Sequence, residues 1–404
     1  MEMAERPTLT VFSNYFVGGV YNFHRNILSQ DITDAFDKKV IFLHWKDHGI
    51  IQPDKQKGFG LCPEFVCEVG SDIRAYAKEI ADLIGNEKGI VVTNFEPELI
   101  ALHFFPKPDK TVIFLCHDEY YVRNALKYEF IIDACVAHNP YFYELLLEQL
   151  PHRKEDIYYL PYGVEITELQ KTPNMEGPLN LVWLARLVVS KGIYEIPEID
   201  DILKEKQIPV NWTIIGYGPE SESFKTRMKD RTNFSYAAPS GNKELMNLLE
   251  QQDVFVLPSR LDGLPVAMLE VMSRGIVPVM YKFNKGIAKV ITKDVGFIVE
   301  PGDNISLADC IGQLHYDRTL LRRMSEMARE KVVEEYDLKK QAEKYFHLYE
   351  NIQPSTRKGK WKRLSAVHGK EFHPLIPGFI VRIYRKLKNI FFKQEKGLSI
   401  DPLK

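Results

Sequence analysis

Within LDGLPVAMLEVMSRG, residues 261–275, Glu270 is the lone carboxylate in a run made of Val266, Ala267, Met268, Leu269, Val271 and Met272. Burying a charge without a partner is costly, so Glu270 needs something to hold. The preceding DVFVLPS reads as a buried strand and RLDGL as the turn after it. Pro265 suits the first position of a helix, where its missing N–H costs nothing, and Gly275 suits that helix's end. The backbone N–H groups around Gly263 and Leu264 then lie at a helix N-terminus, which favours an anion. Asp262 precedes Glu270 by eight positions. A carboxylate that accepts from sugar hydroxyls, beside a phosphate at the helix end, would hold two parts of a nucleotide. An ordinary strand–turn–helix, with Glu270 paired to a core Arg or to backbone amides, explains the same letters.

Four further stretches carry possible chemistry. In LVWLARLVVSKG, Arg186 follows a strand and Lys191 opens the next helix. Arg presents a planar fork of donors to phosphate oxygens and Lys a point charge, although such a pair in a loop also suits plain solvent exposure. In NWTIIGYGPE, Gly216 and Gly218 stand between a strand and a helix, where either a ligand or close chain packing would ask for glycine. In VFSNYFVGGVYNF, Gly18 and Gly19 open the first helix and could admit a ligand close to the backbone. In TVIFLCHDEYY, His117 stands at the carboxyl end of a buried strand, in a structural or a catalytic role.

The elements that must position these residues alternate along most of the chain. LTVFSN, KVIFLHW, IVVTN, TVIFLCH and ACVAH are followed, after a break, by LVWLARL, NWTIIG, NFSYAA, VFVLPS and VPVMY. Most are continuously apolar, as parallel strands buried on both faces are, and helical patterns lie between them. The class is α/β with parallel sheets. The break, EITELQKTPNMEGPLN, has two prolines and a glycine and reads as a linker. It divides the chain into two doubly wound, Rossmann-like domains, residues 1–165 and 166–350, with a tail of residues 351–404. Ligands of such sheets lie beyond the strands' carboxyl ends, so two facing domains enclose a cleft.

In combination, LARLVVSKG, GYGPE and PSRLDGLPVAMLEVMSRGIVPV resemble the retaining glycosyltransferases of family 4, which have the GT-B fold. The family's second domain carries G-R-x4-K-G, then G-x-G-P, then P-S-x-x-E-G-x-P-x5-E. The resemblance covers roughly residues 8–350 and is strongest over 181–302. It implies that Arg186 and Lys191 grip the diphosphate of a UDP- or GDP-linked sugar. Glu270 would bind its ribose, and Asp262 would face the donor sugar. Gly216, Gly263 and Leu264 would line the donor site, with Gly19 near the diphosphate. His117 matches the histidine whose side chain or backbone faces the reacting sugar. Asp262 replaces the usual Glu and is one methylene shorter, Ala185 replaces a Gly, and PYGVE replaces P-N-G-V-D. The implied reaction moves the sugar to an acceptor hydroxyl, on a glycan or a lipid-linked saccharide, with retained configuration. Cations and helix-end amides would stabilise the departing diphosphate, so neither a metal nor another cofactor is expected. Two other readings remain: another enzyme of this fold acting on a nucleotide-sugar, such as an epimerase, and a non-catalytic regulator that binds one.

The composition fits this picture. With 53 Lys plus Arg against 55 Asp plus Glu, net charge does not suggest a polyanionic partner, and no nucleic-acid module is recognisable. The first residues show no basic stretch followed by an apolar run, and no segment is long and apolar enough to span a bilayer. The five cysteines form no framework, which suits a reducing cytoplasm, and Cys62 and Cys67 have no second pair to complete a zinc site. The tail differs: IPGFIVRIYRKLKNIFFK, residues 376–393, places Phe379, Ile380, Ile383, Tyr384, Leu387, Ile390 and Phe391 at helical spacing beside a basic face. Such a helix suits an anionic membrane surface, so the expected location is the cytoplasmic face of the membrane, held peripherally.

Overall fold

The computed structural model describes residues 6–14, 19–31, 34–45, 63–67, 73–166, 172–239 and 241–368. Seven parallel strands form the first sheet: β1 (Thr8–Asn14), β2 (Asp37–Trp45), β3 (Glu64–Cys67), β4 (Gly89–Thr93), β5 (Lys110–Cys116), β6 (Ala134–Ala137) and β7 (Ile157–Tyr159). Their order is β3-β2-β1-β4-β5-β6-β7. Six form the second: β8 (Leu179–Leu184), β9 (Val210–Ile215), β10 (Phe234–Ala237), β11 (Val254–Leu257), β12 (Val277–Tyr281) and β13 (Phe297–Val299), in the order β10-β9-β8-β11-β12-β13. All pairings are parallel, as continuously apolar strands demand. Leu9 and Val11 point into one apolar core and Phe12 into another, so both faces of the first sheet are covered.

Each sheet reverses its winding at one place, between β1 and β4 and between β8 and β11. A crevice opens beyond the strands' carboxyl ends at such switch points. Arg186 follows β8 and Asp262 follows β11, so the sheet order brings them together although 75 residues separate them.

The chain passes between the domains twice, side by side. Val164 N–H donates to the Tyr336 carbonyl at 2.9 Å, and Leu338 N–H donates to the Val164 carbonyl at 3.0 Å. Helix Leu338–Asn351, inside the span 166–350 assigned to the second domain, crosses back onto the first: its Tyr345 hydroxyl donates to the Leu160 carbonyl at 2.7 Å. The following residues continue along the first domain, where Lys358 pairs with Asp133 at 2.7 Å and Arg357 with Asp156 at 2.6 Å. The amphipathic segment 376–393, Gly18 and Cys62 lie outside the described residues, and so does the Cys67 side chain.

Candidate functional site

The two switch points face each other, and the residues singled out by sequence line both sides of the cleft. On the second domain, Lys191 and Asp262 form an ion pair through Nζ and Oδ2, with side chains 25% and 17% exposed. Lys191 Nζ also donates to the Leu261 carbonyl at 3.4 Å. Arg186 is exposed, and among the described residues no acceptor takes its guanidinium hydrogens. The ion pair carries no net charge, so Arg186 supplies the one uncompensated positive charge of this group.

The loop that carries Asp262 differs from the expected helix-end anion site. Helix Val266–Met272 begins after Pro265, which is its cap with φ −65° and ψ 117° and not its first helical residue. The Gly263 N–H is already taken by Asp262 Oδ1 at 3.1 Å, and Leu264 is 3% exposed and turned into the core. The short helix closes as expected, with Gly275 at φ +76° and Ile276 N–H donating to the Val271 carbonyl at 3.1 Å. Positive potential in this loop therefore comes from side chains.

Glu270 is partly buried on that helix; its backbone carbonyl accepts the Ser273 hydroxyl at 2.7 Å, but among the described residues no donor reaches its carboxylate. Burial raises its carboxyl from 4.5 to about 7, Arg25 across the cleft pulls it back, and Glu165 pushes it further up. A carboxylate held at this cost, without a partner of its own, is what the ligand-binding reading requires.

Gly216 has another task. It lies at φ +134°, and a Cβ there would sit 2.0 Å from the Ala185 carbonyl oxygen. Gly218 would meet the Leu187 carbonyl oxygen at 2.3 Å in the same way. The two glycines let this loop lie against the loop of Arg186 and so help to set that loop's position. Gly19 starts helix Gly19–Ser29, and no described atom lies within 4 Å of where its Cβ would be.

On the first domain, His117 is 7% exposed and both ring nitrogens are committed. Nδ1 lies 2.6 Å from the Tyr162 hydroxyl and Nε2 lies 2.8 Å from Asn94 Oδ1, the oxygen that also faces His24 Nε2 at 3.1 Å. Asn94 Nδ2 donates to the Phe12 carbonyl at 2.6 Å, so its Oδ1 is the acceptor for both rings. His117 is accordingly a neutral Nε2–H tautomer that accepts from Tyr162. Burial, with His138 and His24 nearby, holds its pKa well below 6.5. The imidazole therefore has no free lone pair for proton transfer. The His117 carbonyl oxygen lies against Gly263 across the cleft, 1.9 Å from where a Cβ would stand.

Asn94, His24, His138 and Tyr162 are the residues that motif reasoning missed. His138 stacks on Tyr162 with centroids 4.4 Å apart, and its Nδ1 lies 2.9 Å from the Leu160 carbonyl. The one signal in the sequence was Tyr162 itself, the aromatic residue in PYGVE where asparagine is more frequent. Asp118 also reaches the cleft. Its Oδ1 caps helix Glu119–Lys127, and burial raises its carboxyl, with Asp262 opposite adding to the rise.

Residues 165–331 match the family model of the glycosyl transferases group 1. The second domain belongs to that family. Among curated proteins, the chain is 28% identical over 205 residues to the amylovoran biosynthesis glycosyltransferase AmsK of Erwinia amylovora, covering 48% of this chain and 50% of that one. It is 32% identical over 106 residues to the UDP-Gal:alpha-D-GlcNAc-diphosphoundecaprenol alpha-1,3-galactosyltransferase of Escherichia coli, covering 26% and 27%. The chain spans about half the length of the first curated relatives it matches. Among solved structures, Anabaena Alr3699/HepE in complex with UDP and glucose superposes with a TM-score of 0.66 at 14% identity, covering 84% of this chain and 98% of that one. The glycosyl transferases group 1 domain thus sits in a complete two-domain GT-B fold, as the resemblance implies.

Proposed function

We propose that this chain is a retaining glycosyltransferase that moves a sugar from a UDP- or GDP-linked donor to an acceptor hydroxyl, in polysaccharide assembly on a lipid-linked saccharide. The observation that carries the proposal is the group of Arg186, the Lys191–Asp262 pair and the unpartnered Glu270 at one switch point. Arg186 and Lys191 grip the diphosphate, and Glu270 accepts from the ribose hydroxyls. Asp262 steers Lys191 and faces the donor sugar, with His117 on the opposite wall. In the reaction the bond from the sugar's anomeric carbon to the diphosphate breaks, and its electron pair stays on the phosphate oxygen. The acceptor oxygen forms the new bond on the same face and gives up its proton to the departing diphosphate oxygen. Fixed cations favour this step because negative charge grows where they already point. The names of relatives that act in exopolysaccharide synthesis and on a diphosphoundecaprenol-linked sugar support the choice of acceptor.

The test is release of nucleoside diphosphate from a panel of UDP- and GDP-sugars, with and without polyprenyl-diphosphate saccharides. Acceptor-dependent release that persists in EDTA is the expected result. Acceptor-independent conversion of the sugar would favour an epimerase, and loss of activity in EDTA would bring in a metal.

Peripheral attachment at the cytoplasmic membrane face belongs to the same proposal. Among the described residues no helix is long and apolar enough to cross a membrane. The support is residues 376–393, whose apolar and basic positions separate at helical spacing. Deleting residues 372–404 is expected to abolish co-sedimentation with anionic vesicles. Unchanged pelleting would remove the tail as the anchor.

A further inference from the structure

The Asp262–Gly263 loop is held by two asparagines, one from each domain. Asn284, just after β12, donates through Nδ2 to the Asp262 carbonyl at 3.0 Å and to the Gly263 carbonyl at 2.8 Å. Its Oδ1 accepts the Ile287 N–H at 2.9 Å, which fixes the amide's orientation. Asn139, 0% exposed at the end of β6, donates through Nδ2 to the same Gly263 carbonyl at 3.0 Å from the first domain. Its Oδ1 accepts the Tyr141 N–H at 2.9 Å and caps helix Pro140–Gln149. Both asparagines therefore have every amide group committed, and the Gly263 carbonyl receives one donor from each domain.

The surroundings allow this and reinforce it. Gly286 leaves room for Asn139, because a Cβ there would stand 1.7 Å from Asn139 Oδ1. Gly263 leaves room for the His117 carbonyl in the same manner. One helical turn along, Lys289 pairs with Glu144, and the Lys285 ammonium lies 5.8 Å from the Tyr141 ring centre. These contacts join the start of helix Pro140–Gln149 to residues 284–289. The chain itself also links the domains, at its two crossings at Val164 and at Asp337–Leu338.

We propose that Asn139 and Asn284 are positioning residues that couple closure of the two domains to the conformation of the loop bearing Asp262. Asn284 holds the loop within its own domain. Asn139 adds its donor only when the domains meet, so closing the cleft and setting the Asp262 backbone are one event. The consequence for turnover rests on the glycosyltransferase reading; the consequence for closure does not.

Two variants test the clasp without disturbing the donor site. Asn139→Asp keeps a good helix cap but replaces the donor with a carboxylate oxygen facing the Gly263 carbonyl. Gly286→Ala suits its backbone, at φ −73° and ψ −29°, yet displaces Asn139. Small-angle scattering of each ligand-free protein, and of each with UDP or GDP, is expected to show a more extended particle than wild type. The kcat should fall roughly ten- to a hundred-fold, the scale for about 1 Å of misplacement. Affinity for UDP or GDP, which only the second domain grips, should stay within about two-fold of wild type by calorimetry. In Asn139→Asp/Gly286→Ala the two losses should not add, because both act on one contact. Wild-type scattering curves and wild-type kcat in both variants would overturn the proposal. A wild-type protein that binds neither UDP nor GDP would instead remove the functional reading, and ligand-free scattering would still decide the clasp.

Discussion

Lys191→Ala is expected to cut sugar transfer at saturating donor by more than Arg186→Ala does, and each by ten-fold or more. A lost hydrogen bond to a charged group is worth about 1.5–3 kcal/mol, or roughly one to two decades of rate. The two should differ because their partners differ. Arg186 is exposed and unpaired, so its removal subtracts one cation. Lys191 is paired with Asp262, so its removal also leaves a carboxylate uncompensated beside the incoming diphosphate. Lys191→Ala/Asp262→Asn should therefore bind nucleotide better than Lys191→Ala alone. Steady-state kinetics with calorimetry on the four proteins checks the order. Equal, mild losses for both single variants would mean that the pair has no part in holding the diphosphate.

The sequence carried this site unevenly, for physical reasons. Most of the ten strands visible in the sequence were so because burial on both faces makes their residues apolar throughout; β10, an edge strand with Ser235 and Tyr236 exposed, is the exception. β3, β7 and β13 were missed because all three are short edge strands that bury less; Val66 in β3 is 46% exposed. Lys191 and Asp262, singled out by their offsets from strand ends, do meet in one ion pair. Gly216 meets the packing demand, one of the two readings the sequence left open, because a glycine that admits a ligand and one that admits a neighbouring carbonyl look alike in a sequence. Helix Val266–Met272 starts one residue later than Pro265 suggested, which matters because the Gly263 N–H goes to its own neighbour. The roles of Tyr162, Asn94 and Asn139 were out of reach, because each works through a contact with chain distant in sequence: 45 residues for Tyr162 to His117 and 124 for Asn139 to Gly263.

Glu270→Gln should separate binding from folding. In the ligand-free protein the Glu270 carboxyl sits at about 7, above its ordinary 4.5. The folded state thus holds this proton more tightly than the unfolded chain does. Its contribution to stability is fully present below pH 4.5 and is lost as pH rises through about 7. Glutamine has no such loss, so above pH 7 the variant should be more stable, by on the order of 2 kcal/mol for this partly exposed group. Glu98, which burial lifts to about 8, adds a loss of the same sign to both proteins and cancels in their difference. Nucleotide affinity should move the other way. The ionised carboxylate accepts from ribose hydroxyls, so wild-type affinity should rise with pH through about 7 and the variant's should stay flat and about 1.5–3 kcal/mol weaker. Denaturation from pH 4.5 to 8.5 and titration over the same range read both effects. A variant that is less stable yet binds as wild type would make Glu270 a structural residue.

The central claim is that the switch point between β8 and β11 holds a nucleoside diphosphate through Arg186, Lys191 and Glu270. Calorimetric titration of UDP and of GDP into wild type and Arg186→Ala tests it most directly. The expected result is one site per chain for at least one of the two nucleotides, weakened ten-fold or more in the variant at unchanged melting temperature. Equal affinity in both proteins, or no binding of either nucleotide to wild type, would contradict it.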